Sequence, residues 1–314
     1  MAEAVYIVSS ELAYNKLICS DAGPQYAATM HWKWIELQNL KKLSNDQIYI
    51  IDNRIAEAEC QVLQQLIIAN PSINFVAKIV DPYQENKDHY YYKWLATILL
   101  FENVRLLSVY EPKELTSTLA QKSVHPLIYI PYVYDERKEL PLDALGKRSR
   151  KIIISGAINP VIYPFRTAIW KKTRRSVSRL CYHVLKHPGY AELSQREFGH
   201  HFVYDGFIAY LAHYRYMLLC GSRCQLEFLK YHECAYAGCL PVGEAPTCYP
   251  DEIKKLFGSI DPQHIFSSTL KINWQWSIQK HLARLEKYRH YLRETRSAEV
   301  LNQRFANHFK SSKT

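Results

Sequence analysis

One pattern recurs along the chain: a short apolar run, a turn containing glycine, proline or an acid, then a stretch of helical length. In the first half, residues 4–9, 47–51, 74–80, 104–109 and 127–130 read as strands, with helices over 56–69, 90–100 and 112–122. Helical spacing is also expected around Trp34, Leu37 and Leu40. Runs of about 5–7 residues alternating with helical stretches of about 10–15 predict a parallel sheet. Residues 1–135 therefore read as one Rossmann-like domain, without the G-x-G-x-x-G turn of an ordinary dinucleotide site. Residues 136–150 are polar and read as a linker, and the basic cluster Lys147, Arg148, Arg150 and Lys151 as solvated. In the second half, strands are expected at 151–154, 182–185, 216–220 and 239–242, with helices over 207–214, 225–237 and 251–257. That gives a second Rossmann-like domain over 151–270, and closing helices over 273–291 and 297–309 within 271–314.

The stretch from 216 to 244 carries the sharpest chemistry. Gly238 sits where a helix C-cap glycine belongs, since a left-handed backbone costs glycine little. The polar residues left over are Ser222 and Arg223 in the turn and Lys230 and Glu233 on the helix. Lys230 and Glu233 are i and i+3, so they share a face. A helix N-terminus with a hydroxyl and a cation nearby suits a phosphate, and a carboxylate further along suits a ribose diol. The plainer alternative is a buried βαβ unit in which Lys230 and Glu233 form a helical ion pair. Upstream, the strand at 151–154 runs into Ser155-Gly156-Ala157, then Tyr163-Pro164-Phe165-Arg166 opens a helix. A large side chain at 156 would block a phosphate, and an arginine fork can bond phosphate oxygens in pairs; alternatively Arg166 is simply exposed on its helix.

These two segments together resemble the sugar-nucleotide half of glycosyltransferase-B enzymes, closest to the spore-maturation-type group among family-1-like glycosyltransferases. The likeness covers roughly residues 150–260 and rests on Gly156, Tyr163, Arg166, Lys230, Glu233, Ala237, Gly238, Pro241 and Val242. It implies two Rossmann-like domains facing each other across a cleft, with a last helix that crosses back to the first domain. It implies a donor nucleotide-diphosphate sugar held without metal or other cofactor by Gly156, Tyr163, Arg166, Ser222, Arg223 and Lys230, with Glu233 on the ribose. The acceptor would be a glycan or a lipid-linked hydroxyl. The base that deprotonates it would come from the first domain, where Asp21, His31, Asp52 and Asp81 are the candidates. Asp52 and Asp81 follow strands, where sites open in such sheets, although Asp81 precedes proline and equally suits a turn, and Asp21 an N-cap. Two alternatives stay open: a sugar-nucleotide epimerase of the same fold, and a non-catalytic basic nucleotide- or nucleic-acid-binding protein.

Composition narrows the classes. At 314 residues and 48% hydrophobic content, the chain suits two globular domains and is not wholly disordered. Apolar runs fall short of the ~20 residues of a membrane span. The short run near the start, preceded by Glu3, does not read as a secretory leader, and a cytoplasmic protein is expected. The net charge of +10 fits nucleic acid, an anionic membrane surface or an anionic substrate and does not choose among them; it is the glycosyltransferase resemblance that makes nucleic acid the disfavoured partner. Five of the eight cysteines lie between 220 and 248, but their spacings do not repeat the paired C-x2-C of many zinc sites, and no metal is expected. The adjacent His200-His201 does not read as a metal site, and His187, in a turn, fits either a cleft-lining residue or a surface loop histidine.

Overall fold

The computed structural model describes residues 3–14, 23–80, 87–111, 114–174, 177–185 and 204–310. The chain divides into two compact units, Met1–Val133 with Ala298–Thr314, and Tyr134–Ser297.

The first unit is built on β1 (Glu3–Val8), α1 (Gly23–Thr29), β2 (Lys33–Glu36), β3 (Gln47–Ile51), α2 (Glu57–Ala69), β4 (Asn74–Ile79), α3 (Tyr90–Ile98), β5 (Val104–Ser108), α4 (Glu114–Lys122) and β6 (Ile128–Tyr129). The strands form one parallel sheet in the order β2-β1-β3-β4-β5-β6. Where helical spacing was expected around Trp34, the chain instead forms β2 and a 3-10 turn at Leu37–Asn39. Trp34 and Ile35 are spaced for either, and pairing with the open edge of β1 decides the outcome.

The second unit contains β7 (Ser149–Ile154), α5 (Pro164–Thr173), β8 (Tyr182–Val184), α6 (Tyr204–Leu211), β9 (Tyr214–Leu219), α7 (Leu229–Ala237), β10 (Leu240–Gly243), α8 (Asp251–Lys254), α9 (Ile265–Gln275) and α10 (Ile278–Arg296). Its sheet is parallel, in the order β10-β9-β7-β8. Both faces are covered, as a parallel sheet requires. Ile153, Met217 and Leu219 pack with α7 and α10 residues such as Tyr231 and Tyr288, while Ile152, Ile154, Tyr216 and Leu218 face Ile169, Ile265 and Ile272. The expected helix over 273–291 breaks at Trp276, separating α9 from α10, and Ser277 caps α10 by accepting from the Lys280 N–H.

The segment 136–150 is folded onto this unit. Arg148 is 9% exposed, and its guanidinium donates to the carbonyls of Ala237, Gly238 and Pro141. It therefore neutralises the C-terminal end of α7 instead of lying in solvent. The last helix, α11 (Ala298–Lys310), belongs to the first unit. Trp32 Nε1 donates to Asn302 at 2.6 Å, Asn302 donates to the Met30 carbonyl, and Trp32 packs on Phe305.

A buried carboxylate organises the second unit. Glu227, 3% exposed, accepts from Arg296 Nη2 at 3.0 Å and Tyr249 Oη at 2.9 Å, and lies 3.0 Å from His232 Nε2. Burial alone would push its pKa up, but Arg296 and His232 outweigh that and hold it at about 2, against an ordinary 4.5. This stabilisation is complete above the unfolded value and is lost as pH falls from about 4.5 toward about 2. His281 is also buried; desolvation, then Arg215 and Arg148, lower its pKa from 6.5 to about 4. The unfolded chain takes up that proton first, so stability should already fall as pH drops from 6.5 toward about 4. Arg296→Ala, which strands the carboxylate, should cost about 3–5 kcal/mol in urea unfolding at neutral pH. His281→Gln should flatten only the upper pH window of a melting-temperature series.

Candidate functional site

The C-terminal edge of the smaller sheet gathers most of the residues singled out in the second half of the sequence. β7 ends at Ile154, and Gly156 follows with φ +100°. A Cβ built there would lie 2.7 Å from Arg166 Nη1 and 3.3 Å from Lys230 Cε, so this backbone, Arg166 and Lys230 meet at one point. Only a residue without a side chain allows that approach.

Arg166 stands in the first turn of α5 and is 3% exposed. Its Nη1 donates to the Ala157 carbonyl at 3.1 Å, and its guanidinium lies 4.5 Å from the centre of the Tyr163 ring. Its Nε has no hydrogen-bond partner. The turn before it is held by Asn159, whose side-chain oxygen accepts from the N–H groups of Val161 and Ile162.

Lys230 and Glu233 sit on α7, which begins at Leu229 and not at 225. Residues 222–225 form a turn, and 226–228 run without regular structure before the helix. Lys230 is thereby in the first helical turn, with its Nζ 4.3 Å from the centre of the Phe207 ring and 3.5 Å from Glu233 Oε2. That pair is close enough for ionic attraction but outside hydrogen-bond geometry, and the buried Oε2 has no hydrogen-bond partner. Neither α5 nor α7 has a side-chain cap at its N-terminus, so both present main-chain N–H groups at this edge.

Ser222 and Arg223 occupy the neighbouring loop. Ser222 is buried in a left-handed backbone (φ 65°), and its Oγ accepts from the Cys224 N–H. Arg223 bonds the Ile162 carbonyl through its main chain and carries an exposed side chain. The loop is thus tied to the α5 turn, while Gly156, Arg166, Lys230 and Glu233 form the compact group.

Four further residues belong to this edge that the sequence reading passed over. Ser155 Oγ, Thr167 Oγ1 and Glu244 Oε2 are buried without hydrogen-bond partners. Burial pushes the Glu244 carboxyl up in pKa, opposed by the Cys220 thiol, Arg166 and the Gly221 N–H. The Cys220 thiol is pushed up to about 11, by burial first and then by Glu244. Ser155, Cys220 and Glu244 each directly follow a strand, and that position in a parallel sheet was the signal available to find them.

The candidate bases of the first half are dispersed. Asp52, fully buried at the end of β3, accepts from Tyr6 Oη at 2.8 Å, Gly23 N at 2.5 Å and Arg54 N at 2.6 Å. Lys78 Nζ in turn donates to Tyr6 Oη and lies 3.5 Å from the centre of the Tyr26 ring. His31 is exposed in the turn before β2. Since Lys33 is level with Val5 in the parallel pair, His31 stands at the opposite edge of the sheet from Asp52. Asp21 and Asp81 lie outside the described residues, as do His187, His200 and His201. Among the described residues, no group of three or more His, Cys, Asp or Glu is placed to hold a metal ion. Cys234 and Cys239 direct their thiols to backbone carbonyls instead.

No protein-family model matches the sequence, and no curated protein sequence matches it. A solved structure titled "Crystal structure of GtfA/B complex" superposes with a TM-score of 0.47 at 13% identity. The match covers 86% of this chain and 58% of that one. Likeness at that level identifies neither fold nor activity, so the chain's own geometry carries the reading. Among the described residues no helix is long and apolar enough to cross a membrane.

The glycine positions offer a direct check. Gly156→Ala should destabilise the protein by about 1–3 kcal/mol, because the positive φ and the Arg166 contact both oppose a side chain. Gly206→Ala, in α6 with nothing within 4 Å of the new carbon, should be neutral or stabilising by up to about 1 kcal/mol. Paired urea titrations read both.

Proposed function

We propose that the chain is a glycosyltransferase that moves a sugar from a nucleotide-diphosphate sugar to a hydroxyl acceptor. The observation that supports this most is the convergence of Gly156, Arg166, Lys230 and Glu233 at the C-terminal edge of one parallel sheet. In open α/β sheets ligands bind at such edges. On this reading the Gly156 main chain and the uncapped starts of α5 and α7 receive the diphosphate. Arg166 and Lys230 neutralise the charge that grows on it as the glycosidic bond breaks. Glu233 accepts from the ribose hydroxyls, which gives its Oε2, ion-paired with Lys230 but without a hydrogen bond, a donor. Tyr163 supports Arg166 from below through its ring. Ser222 and Arg223 complete the loop beside the phosphates.

The reading includes transfer without a metal, because two cations and two helix N-termini supply the charge that a divalent ion would otherwise bring. It also includes the glycosyltransferase-B arrangement, with acceptor chemistry in the first unit and a glycan or lipid-linked hydroxyl as acceptor. Of the candidate bases, Asp52 is the described carboxylate at a strand end of that unit, but it already accepts three hydrogen bonds that tie it to the fold, which leaves about one lone-pair site for such a role.

Thermal-shift measurements with a panel of nucleoside diphosphates and their sugars test the donor site. A true ligand at about 100 times its Kd should add about 2.7 kcal/mol of stability. Arg166→Ala and Lys230→Ala should each remove about 1.5–3 kcal/mol of diphosphate binding, the range for a charge-assisted hydrogen bond. Glu233→Ala should weaken nucleoside diphosphates but leave inorganic pyrophosphate unaffected. Absence of stabilisation by every member of the panel defeats the proposal. Turnover that collapses with EDTA and returns with magnesium defeats its metal-free part.

A further inference from the structure

The surface of the second unit opposite its core carries a feature that the donor site does not use. Helix α9 buries Ile265, Thr269 and Ile272 against the sheet. Its outer face presents Phe266, Leu270 and Trp274, which are 42%, 38% and 86% exposed. These three are spaced i, i+4 and i+8, so they form one continuous stripe along the helix. A 3-10 turn at Val177–Leu180 packs beside α9 and adds Val177 and Leu180, exposed by 67% and 65%. Hydrogen bonds from Lys172 Nζ in α5 to the Gln263 carbonyl and between Tyr182 Oη in β8 and Thr269 Oγ1 tie the elements on either side of that turn to α9 and its lead-in. Single exposed apolar side chains are ordinary, but five large ones grouped on adjoining segments mark an interaction surface.

The charge around the stripe selects the partner. Residues 162–185 and 262–285 contain no Asp or Glu, although the chain has 30 acidic residues in all. The same segments place Lys171, Arg179, Lys271 and Lys280 on the exposed surface. A protein interface is expected to deplete lysine, whereas apolar residues rimmed by lysine and arginine suit a lipid surface with anionic headgroups. A tryptophan at the most exposed point of the stripe fits the water–hydrocarbon boundary, where its ring is favoured.

We infer that α9 and the adjoining 3-10 turn form a docking face for an anionic lipid bilayer, with Phe266, Leu270 and Trp274 entering the headgroup region and the flanking cations contacting lipid phosphates. The binding is peripheral and reversible, and it is independent of the donor-site reading.

Co-sedimentation of the full chain with phosphatidylcholine vesicles, and with mixed phosphatidylcholine–phosphatidylglycerol vesicles, tests this. The chain should bind the mixed vesicles, release at high salt, and ignore the neutral ones. Leu270→Ser with Trp274→Ser should weaken partitioning more than about ten-fold. Arg179→Gln with Lys271→Gln should weaken it roughly twenty-five-fold, at about five-fold per cation. The second pair changes only exposed side chains and decides the matter if the first pair disturbs folding by circular dichroism. No binding by the native chain, or equal binding by the charge-removed variant, overturns the inference. So does self-association or capture of a protein partner that depends on the stripe in the absence of vesicle binding. Nucleoside-diphosphate stabilisation is measured without lipid, so failure here leaves the donor site untouched.

Discussion

The buried carboxylate of Glu227 determines where α7 begins, and with it the position of the two polar side chains that matter most on that helix. Helical periodicity alone would carry α7 back to 225. Gln225 has a left-handed backbone (φ 51°), and Glu227, in the non-helical stretch after it, reaches Arg296, Tyr249 and His232 at once. A buried carboxylate without those partners would be prohibitively disfavoured, so the chain stays non-helical through Phe228 and the helix starts at Leu229. Lys230 then falls in the first turn, beside Gly156, instead of mid-helix. The same interaction reaches the end of α10, where the Arg296 carbonyl accepts from the Tyr134 N–H at 2.8 Å. One ionic cluster thus fixes the helix that carries the site and the residue at which the second unit closes.

Electrostatics at the sheet edge is the converse of that cluster. Around Glu227 every charged group is paired. A short distance along the same unit, Arg166 Nε, Glu233 Oε2, Glu244 Oε2, Ser155 Oγ and Thr167 Oγ1 are buried without hydrogen-bond partners. Each such atom carries a desolvation penalty of about 1–3 kcal/mol that a fold normally avoids. Donors and acceptors are both present, which suits a ligand with phosphate oxygens and hydroxyl groups better than a simple ion. Gly156 keeps the space in front of Arg166 open, because any side chain there would fill it.

The parallel α/β character was legible because strand and helix lengths alternate and both sheets are buried on both faces, which leaves short but unbroken apolar runs in the sequence. The convergence of Gly156, Arg166 and Lys230 was legible for a related reason: in a parallel sheet, residues that directly follow strands and open helices collect at one edge. What escaped was decided by long-range partners. β2 forms because β1 has an open edge, and Glu227 matters because Arg296 lies 69 positions away. Arg148 looked like part of a solvated basic run, and only the carbonyls at the end of α7 give it a buried role. Glu244 was visible in the sequence but inconspicuous, since nothing local distinguishes a strand-end acid that will be paired from one that will not.

That distinction separates the two sheets. Asp52 occupies in the larger sheet the same topological position that Ser155 and Glu244 occupy in the smaller one. Its oxygens already accept three hydrogen bonds, from Tyr6, Gly23 and Arg54, out of about four lone-pair sites that a carboxylate offers. These bonds fix the start of α1 and the turn after β3, so Asp52 organises its own unit before it can meet any ligand. A proton taken by Asp52 would have to displace one of these donors or use the single remaining site. Glu244, by contrast, holds an oxygen in reserve beside a buried arginine. Equivalent strand ends therefore serve different ends: in the first unit the carboxylate is consumed by the fold, and in the second the fold leaves polar atoms open to a ligand.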